Sequence, residues 1–244
     1  MKSILDNYFD AYFKHANADL SEEGYKRLEK KYKFFYKKFL SEDKNIKILD
    51  LGCGVGHFLY LLEHNGYKNF YGIDISKSQI DFCKKNITEK VEVADIFDFL
   101  KDKKDSFDLI VLNDVLEHIS KERIIEALDL IYYSLCEKGM ILIKVPNSSN
   151  PFGFMDRYKD ITHELGFTEQ SLMAVLKTSN FSDIILVGAS YPVSSLKSFA
   201  GKILEKIIYF FIGVSLLVQG YTLPKFLERN IIASAKKISN YEKN

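Results

Sequence analysis

The chain has 244 residues, 47% apolar, with 34 lysines and arginines against 33 acids and a net charge of +1. That length and apolar content support one large α/β domain with an embellishment. So even a balance gives no electrostatic reason to expect nucleic acid or an acidic tail partner. Cys53, Cys83 and Cys136 neither pair up nor take metal-type spacing, and read as reduced thiols of a cytosolic protein. No secretory signal pattern opens the sequence, and the sequon at Asn147-Ser148-Ser149 reads as idle.

Residues 3–15 put Ile4, Leu5, Tyr8, Phe9, Tyr12 and Phe13 on one helical stripe. Ser21 is placed to cap a second helix with Glu22 and Glu23 in its first turn and Tyr25, Leu28, Tyr32, Phe35 and Phe39 on its apolar face. These two helices, within 1–40, read as a cap ahead of the first strand or as an ordinary packing face. From residue 46 strands and helices alternate: strand 46–51, helix 57–65, strand 69–75, helix 77–85 capped by Ser76, strand 90–94, and strand 107–113 after a polar loop. Helix 121–135 follows with Ser120 as its cap, then strand 140–145, closed by Pro146. The alternation predicts a doubly wound parallel sheet. Residues 147–166 read as loop, Thr168 caps helix 169–178, and 182–189 and 230–236 read as two last strands. Between those strands, 191–224 is an apolar helical insertion. Its core, 207–218, is too short for the roughly 20 residues that span a bilayer. With Lys197, Lys202 and Lys206 ahead of it, segment 199–218 reads as a buried helix, a homodimer contact or a peripheral membrane contact.

The chemistry centres on residues 48–58, Ile-Leu-Asp-Leu-Gly-Cys-Gly-Val-Gly-His-Phe. A buried strand ends at three glycines and a helix begins, which presents backbone N–H groups and a positive helix end to a ligand. Asp74, at the end of the next strand, suits hydrogen bonding to a ribose diol. The spacing is GxGxG, with His57 where a dinucleotide fingerprint needs glycine. That disfavours a nicotinamide or flavin dinucleotide and leaves an NAD-dependent oxidoreductase as a lesser alternative.

Leu49–Gly56, Gly72–Ser76, Ala94-Asp95 and Phe107–His118, in that order, resemble the class I S-adenosylmethionine-dependent methyltransferases. The resemblance runs from about 46 to 146, more loosely to the chain end. It implies a Rossmann-like seven-stranded sheet of order 3-2-1-4-5-7-6 with strand 7 antiparallel, in one methyltransferase domain over 1–244. Within it 1–40 would be the cap, 46–190 and 228–238 the core, and 191–224 an insertion between strands 6 and 7. Asp50, Gly52, Cys53, Gly54 and Gly56 would hold the methionine part of S-adenosylmethionine, with Phe58 beside them. Asp74 would take the ribose hydroxyls, Ile75 would pack on adenine, Asp95 and Ile96 would meet the adenine edge, and Asn113 would border the sulfonium.

Asn113–His118 lacks the Asn/Asp-Pro-Pro-aromatic motif of exocyclic amine methylation in nucleic acids. Asp114-Val115-Leu116-Glu117-His118 is instead similar to methyltransferases of small molecules, quinone precursors and surface sugars. Lys144–Asn147, Asp160–His163 and Phe167-Thr168 are similar to the type-23 branch, common in polysaccharide decoration. O-methylation of a small hydroxylated metabolite or a glycan precursor is the expectation. Such transfer needs in-line approach and usually a base. Imidazole, with an ordinary pKa of about 6.5, is suited to that role. His163 and His118, beyond strands 5 and 4, are the candidates, while His15, His57 and His64 fall in helical patterns. A divalent ion on Asp114, Glu117 and His118, at i, i+3, i+4, is an alternative that is not favoured. A further alternative is a scaffold that docks on a membrane or partner.

Overall fold

The computed structural model describes residues 8, 19–190, 193 and 195–238. The aromatic helix expected at 3–15 lies outside the described residues apart from Tyr8. Strand β1 (Ile48–Leu51) is buried at every position, as a strand covered on both faces must be. It lies between β2 (Phe70–Asp74) and β4 (Phe107–Asn113), parallel to both. Beyond them lie β3 (Val91–Val93), β5 (Leu135–Pro146), β6 (Phe181–Gly188) and β7 (Asn230–Lys237). The order is β3-β2-β1-β4-β5-β7-β6, with β7 antiparallel to β5 and β6. This is the expected topology.

The strand pleat sorts the core into two layers. Leu49, Leu51, Ile110, Leu112, Ile141 and Ile143 face one side, covered by helices α5 (Ile124–Ser134) and α7 (Glu169–Thr178). Ile48, Leu109, Val111, Leu142 and Ile232 face the other, covered by α1 (Glu22–Tyr36), α2 (His57–His64) and α3 (Lys77–Asn86). Three caps fall where the sequence places them: Ser21 accepts from Gly24 N (3.1 Å), Ser76 from Gln79 N (3.4 Å), and Thr168 forms a capping box with Ser171.

The structure departs from the sequence reading in five places. Ser120 makes no side-chain cap, because a 3-10 turn (Lys121–Arg123) precedes α5. Strand β5 begins at Leu135, inside the expected helix, because Leu135 pairs with Phe107. Helix α4 (Ile96–Leu100), capped by Asp95, occupies a span read as loop, and α6 (Gly153–Tyr158) lies within 147–166. The insertion is one helix, α8 (Leu196–Val218), in which Gly213 alone is buried. The buried-helix reading of 199–218 therefore fails for this chain. Among the described residues no helix is long and apolar enough to cross a membrane.

Candidate active site

The carboxyl ends of β1, β2 and β4 open onto a cavity of about 830 Å³, the edge where open α/β sheets bind ligands. Beyond β1 the chain must turn within a few residues. Gly52 N and Cys53 N both donate to Ile73 O (2.8 and 2.9 Å), which folds the turn back onto β2. At Gly52 (φ +70°) a Cβ would lie 2.4 Å from Val115 Cγ2, so only glycine fits. Gly56 (φ +83°) sits in the left-handed region at the N-cap of α2. It does not line the cavity but starts the helix whose first residues, His57 and Phe58, do.

Three buried polar atoms at the end of β1 and β4 have no partner: both carboxylate oxygens of Asp50 and Nδ2 of Asn113. Asp50 is 1% exposed. Burial, followed by the charge of Asp74, pushes its carboxyl well above the usual range, and the Asn113 amide partly offsets this. A buried acceptor pair and a donor left unmade cost free energy until a ligand satisfies them. A ligand carrying an ammonium beside a carboxylate has the complementary atoms. Tyr36 of α1 donates its hydroxyl to Asn113 Oδ1 and so fixes which way that amide points. From the same helix, Tyr25 donates to Val55 O (2.8 Å), bracing the glycine turn. Tyr32 of the same helix lines the cavity.

Asp74 Oδ2 accepts from Gly54 N (2.9 Å) and Oδ1 from Ser76 N (2.8 Å). Each oxygen keeps a second lone pair for a diol. Burial raises its pKa, while those two backbone donors oppose the rise. Ile75 is half-exposed on the cavity wall. Asp95 accepts from Phe97 N (2.8 Å) as the cap of α4, and Ile96 and Phe97 line the cavity with it. The guanidinium of Arg123 stacks on Phe97 at 3.3 Å and walls off that end. Cys53 is buried on the wall; burial pushes its thiol up, so it is an unreactive packing group. Phe58 stands edge-on to Tyr36 (5.6 Å) and Tyr32 (5.9 Å).

At the other end of the cavity the two candidate histidines differ. His118 lines it, whereas His163 lies behind, 6% exposed, with its ring 4.6 Å from His118. The Thr162 hydroxyl donates to Asp160 Oδ1 (2.7 Å) and meets His118 Nδ1 at 2.9 Å. Because that hydroxyl has spent its proton on Asp160, it accepts from His118 Nδ1–H, and the ring's lone pair lies on Nε2. Tyr8 also donates to Asp160 Oδ1 (2.9 Å). Burial, then the neighbouring His163, lowers the His118 pKa, against Asp160, Thr162 and Asp114.

Asp114, Glu117 and His118, the set weighed as an alternative metal site, do not turn to one point. Asp114, at φ +56°, turns to the buried Lys144 ammonium. Glu117, His118 and His163 instead offer ligand atoms within 4.8 Å of one another, a set that could hold a divalent ion. Glu117 is buried with both oxygens unpartnered. Burial, then Asp114, raises its pKa far above the carboxylate range, so it keeps its proton when no cation is near. His57 was passed over in the sequence as a helix residue. It lines the cavity, packs on Tyr25 (ring centroids 4.7 Å apart) and has its pKa lowered to about 4 by burial. The one signal for it was its place directly after the glycine turn.

Residues 19–185 match the family described as Methyltransferase domain. A SAM-dependent methyltransferase from Archaeoglobus fulgidus has the same fold (TM-score 0.67, 22% identity), covering 94% of this chain and 99% of that one. A possible histamine N-methyltransferase from Thermotoga maritima aligns with TM-score 0.59 at 15% identity, over 96% of each chain. Phosphoethanolamine N-methyltransferase 2 of Haemonchus contortus, solved with S-adenosyl-L-methionine, aligns with TM-score 0.57 at 15% identity, over 91% of this chain and 59% of that one. No curated protein matches the sequence.

Proposed function

This chain belongs to the Methyltransferase domain family and is a SAM-dependent methyltransferase; we propose that its acceptor is a hydroxyl of a small metabolite or of a surface-polysaccharide sugar, and that His118 removes the hydroxyl proton. In this reading Asp50 takes the cofactor ammonium, and the backbone of Gly52, Cys53 and Gly54 approaches the methionine part. Asp74 takes the ribose diol with Ile75 against adenine. Asp95 and Ile96 meet the adenine edge, and Asn113 borders the sulfonium. When bound, the cofactor supplies an electrophilic methyl group on a positively charged sulfur. His118 would take the proton of the acceptor hydroxyl on Nε2 as that oxygen accepted the methyl group.

The observation that carries the hydroxyl reading is the Asp160–Thr162–His118 chain on the cavity wall. It sets the tautomer that a base requires, and a lowered pKa keeps the ring neutral near pH 7. His163 supports that ring: its Nδ1 is held 2.9 Å from Asp156 O, so the proton is on Nδ1. Of the two candidate bases, His163 and His118, this supports His118. The test is a screen of the full chain with methyl-labelled cofactor against sugar nucleotides, quinone precursors and matched amines. Label on an acceptor oxygen, lost in His118→Ala, is the expected result; label on amines alone overturns it.

A further inference from the structure

Helix α8 is built inside out. Its inward stripe runs Ser198, Lys202, Glu205 and Tyr209 before reaching Ile212 and Gly213. Lys202 pairs with Glu205 at 2.6 Å, and Tyr209 hydroxyl meets Asn150 Nδ2 at 3.2 Å. The outward side carries Phe199, Ile203, Leu204, Ile207, Phe210 and Phe211, all exposed, the last at 65%. So continuous an apolar face on one helix exceeds what an isolated soluble surface normally shows, and it marks a contact surface.

We propose that α8 lies in the plane of an anionic lipid surface, its apolar face among the acyl chains. Charge selects this occupant. Glu205 is the one acid between 195 and 225, and it is matched by Lys202; Lys197, Lys206 and Lys225 are exposed. Cations flanking an apolar face complement anionic headgroups. A second copy would have to meet these lysines with acids, and the one acid of the segment, Glu205, is already matched by Lys202. Topology supplies the second argument. The insertion leaves β6 at Gly188, and β7 returns at Asn230 opposite Pro146, the cavity end of β5. Helix α8 is thus rooted on the ligand-binding edge of the sheet. The segment 152–161, joined to it through Asn150, exposes Phe152, Phe154, Met155 and Tyr158 and ends at Ile161, which is 81% exposed and also lines the cavity. The rim of the cavity would then face the headgroups, which suits an acceptor with its hydroxyl in the cavity and an apolar tail in the lipid. That last point rests on the hydroxyl reading; the lipid contact does not.

The test is flotation of the full chain with phosphatidylcholine vesicles, with and without phosphatidylglycerol, beside sedimentation without lipid. The wild type should float with the anionic vesicles. Ile207→Glu with Phe211→Glu should abolish flotation, and Lys197→Glu with Lys206→Glu should weaken it by about tenfold or more. S-adenosylhomocysteine binding should stay unchanged in both, which shows that they fold. Vesicle binding needs neither cofactor nor acceptor, so its failure is separate from a failure of methyl transfer. A dimer that stays off vesicles, and that Phe211→Glu dissociates, overturns the proposal in favour of a second copy. A monomer that stays off vesicles also overturns it.

Discussion

Replacing Asp50 with Asn separates the cofactor role of this residue from any structural one, because the two predict opposite changes. In the free protein Asp50 is 1% exposed, and its carboxyl has only the Asn113 amide to offset that burial. Its carboxyl is pushed up first by burial and then by Asp74. A carboxyl whose folded pKa exceeds its unfolded one binds more protons folded, so its contribution is full at low pH. It is lost as pH rises from the ordinary carboxylate range, about 4, through the folded value. Asparagine has the shape of the protonated acid without that liability. Asp50→Asn should therefore melt no lower than wild type at neutral pH, and its advantage should shrink as pH falls. Cofactor binding should move the other way. A hydrogen bond between an ammonium and a carboxylate contributes about 1.5–3 kcal/mol, roughly 10- to 150-fold in affinity. Thermal melting of the free protein, with calorimetric titration of S-adenosylhomocysteine, measures both. A variant that melts lower and binds equally well would refute the assignment, and show that Asp50 holds the fold together.

His118→Ala should lower turnover by about 10²–10⁴-fold at unchanged cofactor affinity, and His163→Ala by less, since His163 does not reach the cavity; single-turnover rates that reverse this ranking would make His163 the base. Because burial lowers the His118 pKa and the base form is the neutral one, the rate of the wild type should rise with pH through a point below about 6.5. It should then stay flat across neutrality, and a limb above that value speaks against His118. Chelation by EDTA should leave turnover intact, because burial favours the neutral form of Glu117; loss restored by Mn²⁺ or Zn²⁺ would place a cation among Glu117, His118 and His163. Arg229 and Lys159 hold the Asp156 pKa down to about 2, so this cluster stabilises the fold above the unfolded carboxylate pKa and fails as pH falls toward 2. Arg229→Met should accordingly raise the pH of acid unfolding followed by circular dichroism.

The sheet was legible because burial on both faces demands uninterrupted apolar strands, and because glycine and proline punctuate them: Ile48–Leu51 into Gly52, Ile141–Val145 into Pro146. The donor half of the site was legible for a related reason. A turn that doubles back from a buried strand needs glycine where the backbone is left-handed, at Gly52 and Gly56, and few alternatives exist. Helix α4 escaped because five residues show no period, and Asp95 read as a ligand acceptor when it also caps that helix. Leu135 and Cys136 continue a helical pattern, and only pairing with Phe107 makes them strand. Asp114 shared a spacing with Glu117 and His118 that fits a helix, yet its backbone turns left-handed to reach Lys144. The outward apolar face of α8 looks in sequence like a core helix, since composition records how apolar a segment is and not which way it faces.

The two halves of the cavity are held by different means, and this has a consequence for how acceptors are chosen. On the proposed donor side the cavity is lined by the glycine-turn backbone and by the carboxylates of Asp50 and Asp74 at strand ends, positions fixed by the sheet itself. On the acceptor side His118 is oriented by Thr162 and Asp160, Asp160 is reached by Tyr8, and Asp156 is anchored by Arg229 just ahead of β7. Those bonds tie the 150–164 segment to Tyr8, to the far side of the insertion and to the turn after β4, and none of them reaches β1 or β2. Substitutions in 150–164 can therefore reshape the acceptor wall while Asp50, Asp74 and the glycine turn keep their geometry. The same segment shares the apolar rim with α8 through Asn150 and Tyr209. Lipid contact and acceptor choice thus lie on one mechanical unit, and a change that lifts α8 from a membrane should alter acceptor affinity before it alters cofactor affinity.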